Sequence, residues 1–152
     1  MKNASSKALS IAPTFVLGMG LFGLTQWFTG GDIESDIKLT WYKTVEEGIE
    51  ASGGKKPLLI DGWAEWCEAC KKMDRTTFQD KELRKSLKKG WILVKLDFTD
   101  ITEEKEALSE KYSMQGLPVT LLLPPSGEVK EGRRLTGYVG PAQMKKEIRN
   151  FK

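Results

Sequence analysis

Three short apolar runs constrain the fold of this chain more than any other feature: Leu58-Leu59-Ile60, the stretch from Trp91 to Phe98, and Val119 to Leu123. Runs of this length read as strands buried on both faces, and such strands need helices over both sides of their sheet. The segments between them carry the matching helix signals. Thr44 caps a helix that runs through Ala51 and ends at Gly53-Gly54. A second helix begins near Cys67 and runs into the Met73 region. Asp80 caps a third, in which Leu83 and Leu87 share a face and Gly90 is the stop. Thr102 and Glu103-Glu104 start a fourth that carries Ala107, Leu108 and Tyr112. The turn Pro124-Pro125-Ser126-Gly127 closes the last apolar strand, Val129 and Arg133 to Tyr138 form a hairpin-like edge, and Pro141 opens the final helix. The order β-α-β-α-β-α-β-β-α predicts an α/β domain over residues 38–152, three-layered α/β/α with a mixed central sheet.

Ahead of it, the 21 residues Ala8 to Phe28 carry no charge. As a helix they reach roughly 30 Å, the thickness of a bilayer core. Lys2 and Lys7 precede the run, while Asp32, Glu34 and Asp36 follow it. Lysine ahead of a span predicts a cytoplasmic N-terminus with the rest of the chain across the membrane. The expected organisation is a membrane anchor over 1–30, attached through residues 8–28, a linker over 31–37, and then the α/β domain. A cleavable signal peptide with Ile11 to Leu17 as its apolar region is the competing reading, although no Ala-x-Ala site follows. Both readings place the domain outside the cytoplasm.

Composition removes several chemistries. Among 152 residues there is no histidine, which excludes a Ser-His-Asp triad, a Cys-His pair and any histidine metal ligand. Two cysteines are too few for a zinc site built from four thiolates, or from three thiolates and an imidazole, so no metal and no separate cofactor is expected. A net charge of +3, with Lys and Glu alternating, gives no nucleic-acid footprint. Redox chemistry by the cysteines themselves survives.

Cys67-Glu68-Ala69-Cys70 follows a strand directly. If a helix starts there, the first thiol lies at its positive end, where backbone N–H groups stabilise a thiolate, and the second lies one turn in. A nucleophilic thiolate beside a resolving thiol is the equipment for thiol–disulfide exchange. A static structural disulfide in a non-catalytic binding module is the alternative, and it stays open on spacing alone.

The surrounding residues narrow the choice. Asp61-Gly62-Trp63-Ala64-Glu65-Trp66-Cys67-Glu68-Ala69-Cys70-Lys71 resembles the active-site segment of the thioredoxin superfamily, and Gly116-Leu117-Pro118-Val119 resembles its cis-proline loop. The Cys-x-Ala-Cys-Lys form and Thr77-Phe78 before Asp80 are most similar to the C-terminal periplasmic thioredoxin-like domains of the DsbD family of thiol:disulfide interchange proteins. The resemblance implies that Cys67 is the exposed nucleophile and Cys70 the buried resolving thiol. It implies that Asp61, at the end of its strand, is a buried carboxylate of raised pKa exchanging a proton with Cys70. Pro118, if cis, sets its loop against the disulfide, with the Leu117 backbone offered to an extended partner segment. Trp63 and Trp66 shield the site and give apolar docking surface. Asp74 is either a second charge opposing thiolate formation or one solvated charge among many, and Lys71 and Lys72 read as surface charges.

The reaction direction follows from Glu68, whose charge disfavours a Cys67 thiolate and so makes the dithiol a better electron donor. The expected activity is that of a reductant or relay, anchored in a bacterial inner membrane with its domain in the periplasm. Its expected partners are extracytoplasmic proteins with disulfides and an upstream membrane thiol donor. A cytochrome c maturation thioredoxin is the neighbouring alternative, but such proteins carry Pro where this chain has Ala69.

Overall fold

In the computed structural model, residues 37–151 are described. The anchor expected over residues 8–28 lies outside them, and among the described residues no helix is long and apolar enough to cross a membrane. Five strands form one sheet: β1 (Trp41–Tyr42), β2 (Leu58–Trp63), β3 (Ile92–Asp97), β4 (Val119–Leu123) and β5 (Arg133–Thr136). Their order is β1-β3-β2-β4-β5, with β1, β3 and β2 parallel and β4 and β5 antiparallel to their neighbours. The mixed sheet expected from the element order is therefore present.

The helices are α1 (Val45–Ser52), α2 (Glu68–Arg75), α3 (Lys81–Gly90), α4 (Glu103–Lys111) and α5 (Pro141–Asn150). Their starts obey local chemistry. Thr44 and Glu47 close a full capping box on α1, and Gly53 ends it in the left-handed conformation at φ 54°. The Asp80 carboxylate accepts from the Leu83 N–H to open α3, and Thr102 caps α4. A single 3-10 turn, Thr77–Gln79, lies between α2 and α3, where no residue pattern announces it. Gly90 ends α3 as its last residue, but the cap is Trp91 in extended conformation, so no left-handed glycine is used there. The expected edge to Tyr138 is shorter: β5 stops at Thr136 because Gly137 turns the chain at φ 80°.

Alternation along the strands divides the core into two. Leu59, Leu93, Leu122 and Leu135 face Met73, Leu83, Leu87, Met144 and Ile148 from α2, α3 and α5. Leu58, Ile60, Val94, Leu96 and Leu121 face Val45 of α1, with Leu108 of α4 and Tyr112 packed on the same side. Strand β2 lies third of five and is buried on both faces, which accounts for its uninterrupted apolar start. Gly48 of α1 sits so close to the sheet that a Cβ there would meet Val94 Cγ2 at 2.6 Å.

Candidate active site

Parallel strands β2 and β3 end at the same edge of the sheet, and the chain leaving β2 turns directly into α2. Cys67 occupies the N-cap of α2: its sulfur accepts from the Cys70 N–H at 3.2 Å, and Lys71 N–H bonds its carbonyl at 3.1 Å. Cys67 and Cys70 are joined by a disulfide with an S–S distance of 2.07 Å. The turn ahead of them is held by Thr99, whose hydroxyl accepts from the Glu65 N–H at 2.9 Å while its carbonyl accepts from Trp66 Nε1 at 3.2 Å. Asp97 fixes Thr99 in turn through both its N–H and its hydroxyl.

The expected contrast between an exposed Cys67 and a buried Cys70 is small in the oxidised site: Cys67 is 6% exposed and Cys70 2%. Ala64, Ala69, Trp63 and Leu117 pack around the pair and cover both sulfurs. The Leu117-Pro118 peptide bond is cis, and Leu117 lies against the cysteines as the resemblance implied. Gly62 lets this loop come near, since a Cβ there would lie 3.1 Å from Leu117 Cδ2 and 3.3 Å from the Val119 carbonyl. Trp66 is 61% exposed, which leaves its ring as apolar surface beside the disulfide, whereas Trp63 is half-buried with an indole N–H that has no partner among the described residues.

Asp61 departs from its expected place at a strand end. It is the fourth residue of β2, in register with Lys95 of β3 on one side and Thr120 of β4 on the other. The three side chains share the sheet face of Leu59, Leu93 and Leu122, which puts a polar row under α2 inside an otherwise apolar layer. Asp61 is 2% exposed. Burial raises its pKa from 3.8 to about 7; Lys95 pulls it down and the Asp74 charge pushes it up. A carboxyl poised there exchanges protons near neutrality, the property a thiol partner needs. Cys70 Sγ lies 3.9 Å from the carbonyl of Gly62, the residue that follows Asp61.

Lys95 was missed in the sequence, although a lone charge inside Ile92 to Leu96 was the available signal. Its ammonium lies 3.5 Å from Asp61 Oδ2 and 2.5 Å from Asp74 Oδ1, with the rings of Trp41, Trp63 and Phe78 around it. Asp74 is an ion-pair partner of Lys95, and its charge pushes the Asp61 pKa up. It shares with Lys95, Trp41 and Trp63 the wall of an open cleft of about 550 Å³. Glu68 is similarly tied: its carboxylate accepts from Lys71 Nζ at 3.0 Å, and that hydrogen bond holds its pKa below the usual carboxylate value. Lys71 thus offsets part of the charge expected to act on Cys67. Lys72 lies over the Tyr138 ring, 4.4 Å from its centre. Among the described residues no group of His, Cys, Asp and Glu could hold a metal ion.

Known proteins are similar to this chain in sequence and in fold. Over 133 residues the chain is 28% identical to the thiol:disulfide interchange protein DsbD of Yersinia pestis strain Pestoides F, and the match covers 84% of this chain and 22% of that protein. Over the same length it is 30% identical to the DsbD of Klebsiella pneumoniae, again covering 84% and 22%. The chain thus matches about a fifth of the length of these curated relatives. Among solved structures, the oxidised C-terminal domain of Neisseria meningitidis DsbD superposes with a TM-score of 0.63 at 20% identity, covering 74% of this chain and all of that one. A thioredoxin from Thermus thermophilus gives 0.60 at 23% identity, over 73% of this chain and 85% of its own. These structures share the fold. The model of the thioredoxin-like domain matches residues 46–152, which hold both cysteines, the buried Asp61 and the cis-proline loop, and the chain belongs to that family, whose redox-active cysteine pair needs no cofactor.

Proposed function

We propose that this chain is a membrane-anchored, extracytoplasmic protein-disulfide reductase that relays electrons from a membrane thiol donor to disulfides of partner proteins. The observation that carries the reading is a cysteine pair at the start of α2 whose Cys70 sulfur lies 3.9 Å from the carbonyl of Gly62, the neighbour in β2 of a buried carboxylate of raised pKa.

In the reduced protein the Cys67 sulfur sits at the positive end of α2, where the amide of Cys70 points at it, and there it is stabilised as thiolate. That thiolate attacks one sulfur of a partner disulfide. A Cys67–partner bond forms, the partner S–S bond breaks, and the displaced partner thiolate takes a proton from solvent. Asp61 then accepts the Cys70 proton, and the Cys70 thiolate attacks Cys67 Sγ. The Cys67–Cys70 bond forms, the Cys67–partner bond breaks, and the second partner sulfur leaves as a thiolate that takes a proton from solvent, so two electrons have passed to the partner. The cis-Pro118 loop supports docking by presenting the Leu117 main chain beside the sulfurs, and Trp66 adds exposed apolar area.

The anchor reading rests on the uncharged run 8–28, and the donor is inferred from the likeness to DsbD proteins. Glu68 supports the reducing direction, since the site has no histidine between its cysteines to stabilise the thiolate. The potential should then lie nearer thioredoxin's value of about −270 mV than DsbA's of about −120 mV. The test is reduction of a model protein disulfide by residues 38–152. Wild type should turn over and Cys67→Ser should not, and reductase activity surviving in that variant would refute the proposal. A potential near −120 mV would refute the reducing direction alone.

A further inference from the structure

Strands β1, β3 and β2 run parallel and so begin at the same end of the sheet. Exposed lysines lie two to four residues ahead of each strand: Lys38 before β1, Lys55 and Lys56 before β2, Lys88 and Lys89 before β3. Parallel pairing therefore gathers ammonium groups that are far apart in the sequence. Lys38, Lys56 and Lys88 line one depression of about 150 Å³, shared with Leu87 and Trp91. Among the described residues none of the five lysines is in an ion pair. Among the described residues the acidic groups brought to this end are Glu50 at the close of α1 and Glu128 and Glu131 between β4 and β5, and the sequence places Asp32, Glu34 and Asp36 ahead of Lys38. The other end of the parallel strands carries the disulfide together with Glu65, Glu68, Asp97, Asp100 and Glu103, against Lys43, Lys71, Lys72 and Lys105. Lysines that are in no ion pair among the described residues are thus gathered where the parallel strands begin, while the end that carries the disulfide is mixed in charge.

We propose that the lysine pole is a docking surface for the anionic headgroups of a phospholipid bilayer, with the depression between Lys38, Lys56 and Lys88 receiving a headgroup phosphate. Lysines are mobile point charges that need no fixed partner geometry, and a spread of them over a broad end matches a fluid plane of negative charge. A single bound anion held by a fixed fork would call for arginine instead. Sequence adds a second argument. Lys38 lies ten residues after Phe28, a distance that bounds the connection to roughly 35 Å at full extension. If residues 8–28 cross the membrane, as proposed above, the pole joined to them is the one that carries the charge to meet it. Docked this way, the domain turns its disulfide toward partners in solution.

The experiment uses residues 37–152, a domain whose Neisseria counterpart stands alone in its solved structure and whose two core clusters lie within residues 39–151. Its cosedimentation is measured with phosphatidylcholine vesicles and with vesicles in which a third of the lipid is phosphatidylglycerol. Binding should rise about tenfold or more with the anionic lipid and fall as salt screens the surface. It should return to the phosphatidylcholine level when Lys55, Lys56, Lys88 and Lys89 are all changed to Gln. A control variant with Lys43, Lys105, Lys111 and Lys146 changed to Gln should still bind. Equal partition onto both vesicle types overturns the proposal, as does equal loss in both variants or binding of glycerol phosphate without vesicle binding. An unchanged disulfide-reduction rate in the four-lysine variant shows that it is folded. Because the domain of residues 37–152 lacks residues 8–28, its failure to bind leaves the anchor reading standing. That reading is tested separately by whether the full chain resists alkaline extraction from membranes.

Discussion

Replacing Asp61 with Asn probes the buried carboxyl while keeping its shape. In the folded protein Asp61 titrates near 7 rather than 3.8, about three pH units above its unfolded value. At 1.36 kcal/mol per unit, a folded Asp61 that must ionise at pH 8 costs roughly 4 kcal/mol of stability. The sign follows from linkage. The folded state holds this proton more tightly than the unfolded chain, so the contribution is fully present below pH 3.8 and is lost as pH rises through about 7. Asn carries no proton and has no such dependence. Lys95 keeps its contact to Asp74 at 2.5 Å when Asp61 is neutralised, so the substitution leaves no orphaned ammonium. Urea unfolding of the oxidised domain should therefore find Asp61→Asn more stable than wild type by roughly 2–4 kcal/mol at pH 8. The two should converge near pH 4. The same variant should be slower in resolving mixed disulfides, because Cys70 loses its proton acceptor. A stability difference that does not change between pH 4 and pH 8 would refute the assignment of Asp61 as a buried acid of raised pKa.

Lys95→Met removes the cation that pulls the Asp61 pKa down, so the pH at which reductase activity rises should move upward, read from a pH–rate profile. A profile that stays in place would show that Lys95 does not act on Asp61. Gly62→Ala puts a methyl 3.1 Å from Leu117 Cδ2 and 3.2 Å from Met114 Sδ, and should cost about 1–3 kcal/mol in denaturant melts while lowering the rate by displacing the cis-proline loop. Trp66→Ala removes a ring that is mostly in solvent, so stability should change by about 0.5 kcal/mol or less while the KM for a protein disulfide rises.

How far the fold could be read ahead of the coordinates depended on how local its causes are. The Thr44 cap, the Asp80 cap and the proline opening α5 are set by neighbours within four residues, and each stands where the sequence put it. The buried strands showed in their composition because burial on both faces leaves no alternation to misread. The short 3-10 turn at Thr77–Gln79 did not show, since it is fixed by a distant contact: the Thr77 hydroxyl donates to the Val139 carbonyl at 2.7 Å. The same limit governed the site. Cys67 and Cys70 are close in sequence and announced themselves, and Pro118 came through its loop motif. Lys95 did not, because its role exists only through the register that sets it beside Asp61 and the helix that brings Asp74 over it. The effect assigned to Glu68 was also read from one charge alone, and Lys71 one turn further on tempers it.

The central claim is that Cys67 attacks a partner disulfide and Cys70 resolves the adduct. Incubating reduced Cys70→Ser protein with a disulfide-bonded substrate, then locating the cross-link by peptide mass spectrometry, tests this directly. A stable mixed disulfide through Cys67 should form, with no adduct in Cys67→Ser beyond a slow background. An adduct that forms through Cys70 as readily as through Cys67, or none in either variant, would contradict it.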